Sequence, residues 1–541
     1  MLTSQFIAKF LAARGVARVF GTPGSDTIDL IHALANEGVD YVLTHHENTA
    51  AYMAAAYGEL SGVPGVVVVT KGPGITNLAS GISSANLDRR PVIVISAIIS
   101  PNILEKNPHQ EVPLIAFGAL IAKLSEEMTH ANAAELLPRA YRTAISPRPG
   151  AVYIPISPRE AKTDLGAGDA EAGKIIATAI VADRGGVPDI SRAAELVRQA
   201  RRPVAVVGVG VVGTGTSAET VAALEALDIP ACVTLQAVGQ VPNDHPLYIG
   251  MHGWYGSSVD TMFDQADLIL TIGLDGWDVV RPYRATVPIV SLDSTDANDR
   301  TFQPVTVGLT GDLGGMLTAL AREGRGERDW GTKEARACYA RICDVETGIT
   351  SGHKPGNGIA PQAVYRELRK LVPRDTILTA DAGAHKALAA QAWEVYGPRS
   401  YIVSNGLSPM GFALGAAMGA KLAEPDRTVL TVVGDGGFLM YAGDMATWAR
   451  LGLPMVQIVM VDNAMTQVKS RQLKAGFGTE ATSFQKIDYC AVAKSLGVEA
   501  VRADTIEGFR VAVQQGLAAN RPFTIETILD AGEYSRMGSQ S

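Results

Sequence analysis

Thr428-Val-Leu-Thr-Val-Val-Gly-Asp-Gly-Gly-Phe438 and Met455-Val-Gln-Ile-Val-Met-Val-Asp-Asn463 are two apolar runs, each ending in a polar Asx residue. Short runs rich in valine and isoleucine, bounded by glycine and Asx, read as buried strands of a parallel sheet. A helical pattern starts near Leu439. Both strands then open on the carboxyl edge, where such sheets bind ligands. Asp435 and Asn463 would offer two oxygens to one cation, and hard donors of mixed charge suit Mg2+, often held together with a phosphate. Gly436 and Gly437 let backbone approach closely, and the helix start that follows favours an anion. An isolated Gly-Asp-Gly is more often a tight turn. The second Asx-ended strand favours the metal reading.

Outward from this pair, apolar runs alternate with helix-length periodic segments almost throughout. This predicts an α/β chain of three doubly wound parallel-sheet domains. Early strands are expected at Arg18–Gly21, Tyr41–His45, Gly65–Thr70, Pro91–Ala97 and Ala151–Ile156. Late strands are expected at Thr376–Asp381, around the two opening runs, and at Phe523–Leu529. Lys162–Gly186 and Gly324–Gly358 read as linkers, the second with a helix near Lys333–Val345. The expected domains are 1–165, 186–325 and 358–541. No residue-level repeat relates them.

The 541 residues are 47% hydrophobic and 19% charged, with a formal net charge of −8 and no basic cluster. That composition is globular and argues against nucleic acid or an anionic membrane as partner. Four scattered cysteines (Cys232, Cys338, Cys343, Cys490) form no CxxC pair, which fits a reducing cytoplasm. Met1–Gly15 reads as an amphipathic helix without signal-peptide features. No apolar run approaches a membrane span of about 20 residues.

Glu47 follows the second expected strand and opens the helical stretch Asn48-Thr-Ala-Ala-Tyr-Met-Ala-Ala-Ala-Tyr57. By itself it reads as a first-turn acid complementing the helix dipole. His45-His-Glu-Asn-Thr-Ala-Ala51, Phe20-Gly-Thr-Pro-Gly24 and Thr70-Lys-Gly-Pro-Gly-Ile-Thr-Asn77, together with Gly434-Asp-Gly…Asn463, resemble in order the thiamine diphosphate (ThDP)-dependent enzymes of the acetolactate synthase and pyruvate decarboxylase group. The resemblance implies that Glu47 hydrogen-bonds N1′ of the cofactor's aminopyrimidine, and that Pro23 and Asn77 line that ring. It implies metal ligation by Asp435, Asn463 and the Met465 carbonyl, with Gly434, Gly436 and Gly437 at the diphosphate. Met410, in Gly406-Leu-Ser-Pro-Met-Gly-Phe412, falls where the family carries an apolar wedge; helix-start packing is the alternative. His385, in Ala382-Gly-Ala-His385, would contact a phosphate or cap a helix. Lys71 stands where a small hydroxyl residue is more usual, either altering the pocket or pointing to solvent.

The middle block offers Val204-Ala-Val-Val-Gly-Val-Gly-Val-Val-Gly213, a strand followed by GxGxxG. No acidic residue follows the next strand, which leads into Gln236, so a dinucleotide oxidoreductase is disfavoured. FAD is doubtful as well: Leu274-Asp-Gly-Trp-Asp-Val-Val-Arg281 lacks the Arg-Phe that opens the flavin stretch of FAD-binding acetolactate synthases.

The resemblance implies decarboxylation of a small 2-oxo acid, with the resulting enamine ligated to a carbonyl acceptor. A simple decarboxylase and a 2-hydroxyacyl-CoA or diketone lyase are the alternatives, and a non-catalytic member is disfavoured by the retention of Glu47. His109-Gln-Glu111 resembles a loop that enters the active site, so His109 and Gln110 would relay protons or bind substrate; a surface turn is the alternative. Gln472 stands where biosynthetic relatives place a tryptophan that favours a larger acceptor. Lys469 and Arg471 would attract an anion or form a solvated face. A homodimer or homotetramer, with active sites between subunits, is implied. Gly532–Ser541, with Tyr534 and Arg536, would close over the site or be disordered.

Overall fold

The computed structural model describes residues 1–99, 109–110, 112–253, 258–278, 286–296, 304–346 and 358–537. Its strands form three six-stranded sheets. The first holds β1 (Arg18–Gly21), β2 (Asp40–Leu43), β3 (Gly65–Val69), β4 (Val92–Ser96), β5 (Leu124–Ser125) and β6 (Ala151–Tyr153), in the order β2-β1-β3-β4-β6-β5. The second holds β7 (Pro203–Val207), β8 (Ala231–Val233), β9 (Tyr248–Met251), β10 (Leu268–Ile272), β11 (Ile289–Asp293) and β12 (Val307–Thr310), in the order β12-β11-β10-β7-β8-β9. The third holds β13 (Ile377–Ala380), β14 (Tyr401–Val403), β15 (Val429–Gly434), β16 (Val456–Val461), β17 (Glu499–Ala503) and β18 (Phe523–Ile528), in the order β14-β13-β15-β16-β18-β17. The strands that flank the sites, β1, β2, β3, β13, β15 and β16, pair in parallel with their neighbours. The doubly wound α/β fold is thus the one expected.

The third sheet repeats the first strand for strand, although the sequences carry no matching residue repeat. In both, the chain starts centrally, steps to one edge, and returns across its own first strand. The winding therefore reverses between β1 and β3, and again between β13 and β15. Ligands settle at the carboxyl ends of strands where winding reverses, because the following loops there splay apart. Pro23 and Thr70 follow β1 and β3; Asp381 and Asp435 follow β13 and β15.

The chain divides into two compact units, Met1–Asp183 with Leu414–Pro425 and Gly443–Leu451, and Arg184–Ala413 with Asp426–Ala442 and Gly452–Ser541. In the first, helix Glu47–Ser61 is buried along almost its whole length, which its run of alanines permits. A Cβ on Gly419 would come within 2.2 Å of the Met53 carbonyl oxygen, so that segment approaches the helix backbone to backbone. The Asp444 carboxylate accepts the His45 N–H at 2.8 Å and the Thr49 hydroxyl at 2.6 Å, pinning the helix start that carries Glu47.

Three expectations need correction. The segment read as a linker, Lys162–Gly186, contains helix Asp169–Ala177, whose carbonyls at Ile175 and Ile176 accept the Arg14 guanidinium. The helix expected near Leu439 begins at Asp435 itself, Asp435–Met440. Strands β5, β14 and β17 were not expected; they are short or lack a regular burial pattern. Among the described residues no helix is long and apolar enough to cross a membrane.

The start of β3 tests this packing. A Cβ on Gly65 would sit 2.0 Å from the Ala54 carbonyl oxygen, whereas one on Gly173 meets nothing within 4 Å. Overpacking of this kind costs about 1–3 kcal/mol. Gly65→Ala is therefore expected to lower the melting temperature clearly, and Gly173→Ala to leave it unchanged or raise it, in parallel thermal scans.

Candidate functional site

Two clusters of candidate residues form, one in each compact unit. In the second unit, Asp435 sits at the end of β15, and its carboxylate is drawn onto backbone amides. Oδ1 accepts the Gly436 N–H at 2.8 Å, while Oδ2 accepts the Asn463 N–H at 2.6 Å and the Asp462 N–H at 3.3 Å. Asn463 adopts a left-handed backbone, φ +57°, which turns the chain after β16 back toward Asp435. Burial, then the nearby Asp462 carboxylate, push Asp435 up to about 6. Burial raises Asp462 too, against the Thr466 hydroxyl that its Oδ2 accepts at 2.6 Å. A buried carboxylate raised by a half-buried neighbour is a donor set that a divalent cation would relieve. Asp462 was not singled out in the sequence; its place beside Asn463 was the available signal.

Met465 donates its N–H to Thr482, and its carbonyl accepts the N–H groups of both Val468 and Lys469 at 2.9 Å, opening helix Thr466–Lys474. Ligation of a metal by that carbonyl would compete with this first helical turn. Glycine makes room for the anion. A Cβ on Gly437 would fall 2.0 Å from Asp381 Oδ2, and one on Gly436 would reach Met410 Cε at 3.0 Å. Met410 thus overhangs the Gly-Asp-Gly turn. Asp381, at the end of β13, holds Met410's loop: its oxygens accept the Gly411 and Phe412 N–H groups at 2.7 and 2.9 Å. Burial pushes this carboxyl up to about 6, and those amides pull it back. Asp381 also escaped the sequence reading, since a strand-ending Asp looks like a turn former.

His385 is buried, and its Nε2 has no hydrogen-bond partner. Burial first, and Lys386 second, push its pKa down to about 4, so the ring is neutral at pH 7. A Cβ on Gly434 would meet that ring at 3.1 Å. Gly434, Asp435, Gly436, Gly437, His385, Met410 and Met465 all line one cavity of about 280 Å3, joined by Tyr534 of helix Gly532–Met537. Residues 538–541 lie outside the described residues. An orphaned ring nitrogen, a glycine cradle at a helix start and a carboxylate pair fit a Mg2+-bound diphosphate.

In the first unit, Glu47 is the first residue of its helix and only 7% exposed. Its Oε2 accepts the Asn77 side-chain N–H at 3.1 Å, joining the helix start to the loop after β3. Exposed Pro23 follows β1. The Lys71 ammonium is paired with Asp26 at 2.9 Å, so it does not simply point to solvent. His109 and Gln110 are exposed; a Cβ on Gly72 would touch the Gln110 carbonyl oxygen at 2.9 Å, which seats Gln110 on the Gly72 turn. Glu111 lies outside the described residues.

In the second sheet, the glycine-rich turn faces a side chain of its own chain. The Asp278 carboxylate accepts the Val209 N–H at 3.0 Å, the Gln236 N–H at 3.2 Å and the Thr234 hydroxyl. A Cβ on Gly208 or Gly210 would strike the Gly273 backbone, so these glycines serve strand-to-turn packing. The Val209 N–H that a dinucleotide phosphate would use is thus taken within the chain. Arg281 of the flavin-like stretch lies outside the described residues.

Three family models match the chain: thiamine pyrophosphate enzyme N-terminal TPP binding domain at residues 1–116, central domain at 190–320, and C-terminal TPP binding domain at 381–527. The chain is 30% identical over 545 residues to the acetolactate synthase isozyme 2 large subunit of Escherichia coli, covering 97% of this chain and 95% of that protein. It is 29% identical over 565 residues to a probable acetolactate synthase large subunit of Methanocaldococcus jannaschii, covering 98% and 93%. It is 32% identical over 503 residues to a probable 2-ketoarginine decarboxylase of Pseudomonas aeruginosa, covering 87% and 84%.

The buried His385 gives a pH signature. Its folded pKa lies below its unfolded value, so its contribution to stability is present above about pH 6.5 and is lost as pH falls toward 4. In the cofactor-free protein, the difference in melting temperature between wild type and His385→Asn is expected to shrink steadily over that interval.

Proposed function

The chain belongs to the thiamine diphosphate-dependent enzymes and is acetolactate synthase-like, and from this we propose that it decarboxylates a small 2-oxo acid and joins the remaining acyl unit to a carbonyl acceptor. The observation that carries the reading is Glu47, kept as a buried carboxylate at a helix start and bonded to Asn77.

Bound ThDP would supply a nucleophilic carbon and an electron sink for decarboxylation. The protein's residues do the rest. Glu47 would hold a proton at the aminopyrimidine N1′, with Pro23 and Asn77 beside the ring. Met410 would support the cofactor from the Gly436 side. Asp435, Asn463 and Met465 would hold Mg2+, and His385, Gly434, Gly436 and Gly437 would receive the diphosphate. His109 and Gln110 would meet the substrate from the loop seated on Gly72. We read the assembly as a homodimer or homotetramer, the domains as 1–165, 186–325 and 358–541, and the compartment as the cytoplasm.

A second reading, simple decarboxylation, is favoured by the 32% identity to a protein named a probable 2-ketoarginine decarboxylase. Gln472, where a large-acceptor tryptophan would stand, argues against a dedicated branched-chain biosynthetic enzyme.

The two are separated by one experiment. Protein stripped of cofactor is given Mg2+, ThDP and a panel of 2-oxo acids, with and without aldehyde acceptors, while CO2 and 2-hydroxy ketone are followed together. Carboligation predicts ketone in step with CO2 when an acceptor is present; aldehyde and CO2 alone would establish the second reading. Glu47→Gln is expected to slow either reaction by roughly 10^2 to 10^4, the worth of a positioned acid–base group.

A further inference from the structure

The loops that carry Pro23 and Asn77 are joined by a cluster of charge. Asp26, whose side chain is 7% exposed, accepts the Thr70 hydroxyl at 2.9 Å on Oδ1 and 3.1 Å on Oδ2, and the Lys71 ammonium at 2.9 Å on Oδ2. A Cβ on Gly24 would fall 2.6 Å from Asp26 Oδ1 and 2.5 Å from the Thr70 hydroxyl, so the two loops meet without slack. The Thr70 hydroxyl therefore clasps them together without the ammonium. Lys71 adds something else: a charged group 22% exposed, one residue from the Gly72 turn on which Gln110 rests.

Drawing a lysine's end out of water costs side-chain entropy and hydration, and one carboxylate offsets only part of that. An anionic substrate gives the arrangement a use. The chain carries a net charge of −8, so a small carboxylate is repelled overall and needs local positive potential. Segments 20–26, 70–77 and 109–110 contain one lysine, Lys71, and no arginine, while Glu47 and Asp26 are acidic.

We infer that Lys71 is a substrate-binding residue that receives a carboxylate of the 2-oxo acid on the pyrimidine-side loops, exchanging its resting partner Asp26 for the substrate. The inference rests on the reaction proposed above.

The test uses the ThDP- and Mg2+-loaded protein and two readouts. Equilibrium binding of oxamate, an unreactive isostere of pyruvate, is compared among wild type, Lys71→Met, Lys71→Arg and Asp26→Asn; KM and kcat are measured for the best 2-oxo acid. Lys71→Met is expected to weaken oxamate and raise KM by roughly tenfold to a hundredfold, as losing a hydrogen bond to a charged group does. ThDP affinity and kcat stay near wild type. Lys71→Arg restores most of the binding, and Asp26→Asn keeps or tightens it by removing a negative charge. Unchanged oxamate binding in Lys71→Met overturns the inference. So does equal weakening in Asp26→Asn, which would make the pair a structural clasp. If wild type consumes no 2-oxo acid, the proposed reaction fails, while oxamate binding still decides the role of Lys71.

Discussion

At the carboxyl end of β15 one carboxylate is held by three backbone N–H groups beside a second, half-buried carboxylate. Asp435 takes the amides of Gly436, Asp462 and Asn463, and burial together with Asp462 raises its pKa to about 6. Hydrogen bonds favour the ionised form; burial and like charge oppose it. In the proposed reading a divalent ion would complete the arrangement, neutralising both acids while the amides keep Asp435 aimed. The cavity depends on that balance. The Asn463 turn brings β16 back to β15, Gly437 lets Asp381 stand alongside, and Asp381 holds Met410's loop over the glycines.

The second constraint is topological. The first and third sheets share one strand order, so equivalent loops at equivalent winding reversals carry the two sets of candidate residues. One set offers an acid and neutral contacts, suited to an aromatic ring with exchangeable protons. The other offers carboxylates and a glycine-cleared helix start, suited to a metal-bound anion. The second sheet is wound differently, and its glycine-rich turn is bonded by Asp278. Two like folds thus hold the two ends of one cofactor in the proposed reading, and the sheet between them in sequence contributes packing.

Much of this was legible in the residues. Strands β15 and β16 are apolar on both faces and end in Asx, and Glu47 sits between a strand and an alanine-rich helix whose smallness lets it be buried. What escaped has physical reasons. Strand β17 mixes buried and exposed positions without strict alternation at a sheet edge, and β5 and β14 span two and three residues, too few for a periodic signal. Helix Asp169–Ala177 buries only Ala172, so its pattern looks like linker, and its last carbonyls are satisfied by Arg14 some 160 residues away. Asp381 and Asp462 matter through amides and a neighbouring acid, and such partners are tertiary. The Asp26–Lys71 pair needs two loops 45 residues apart to meet.

Titration of ThDP into the cofactor-free protein, by calorimetry, in Mg2+ and again in EDTA, with wild type and Asp435→Asn, tests the central claim most directly. The account predicts tight binding for wild type in Mg2+ and weakening of at least tenfold in EDTA. Asp435→Asn should bind weakly in both buffers and gain little from Mg2+. ThDP binding equally well with and without Mg2+, or unaffected by Asp435→Asn, would contradict it.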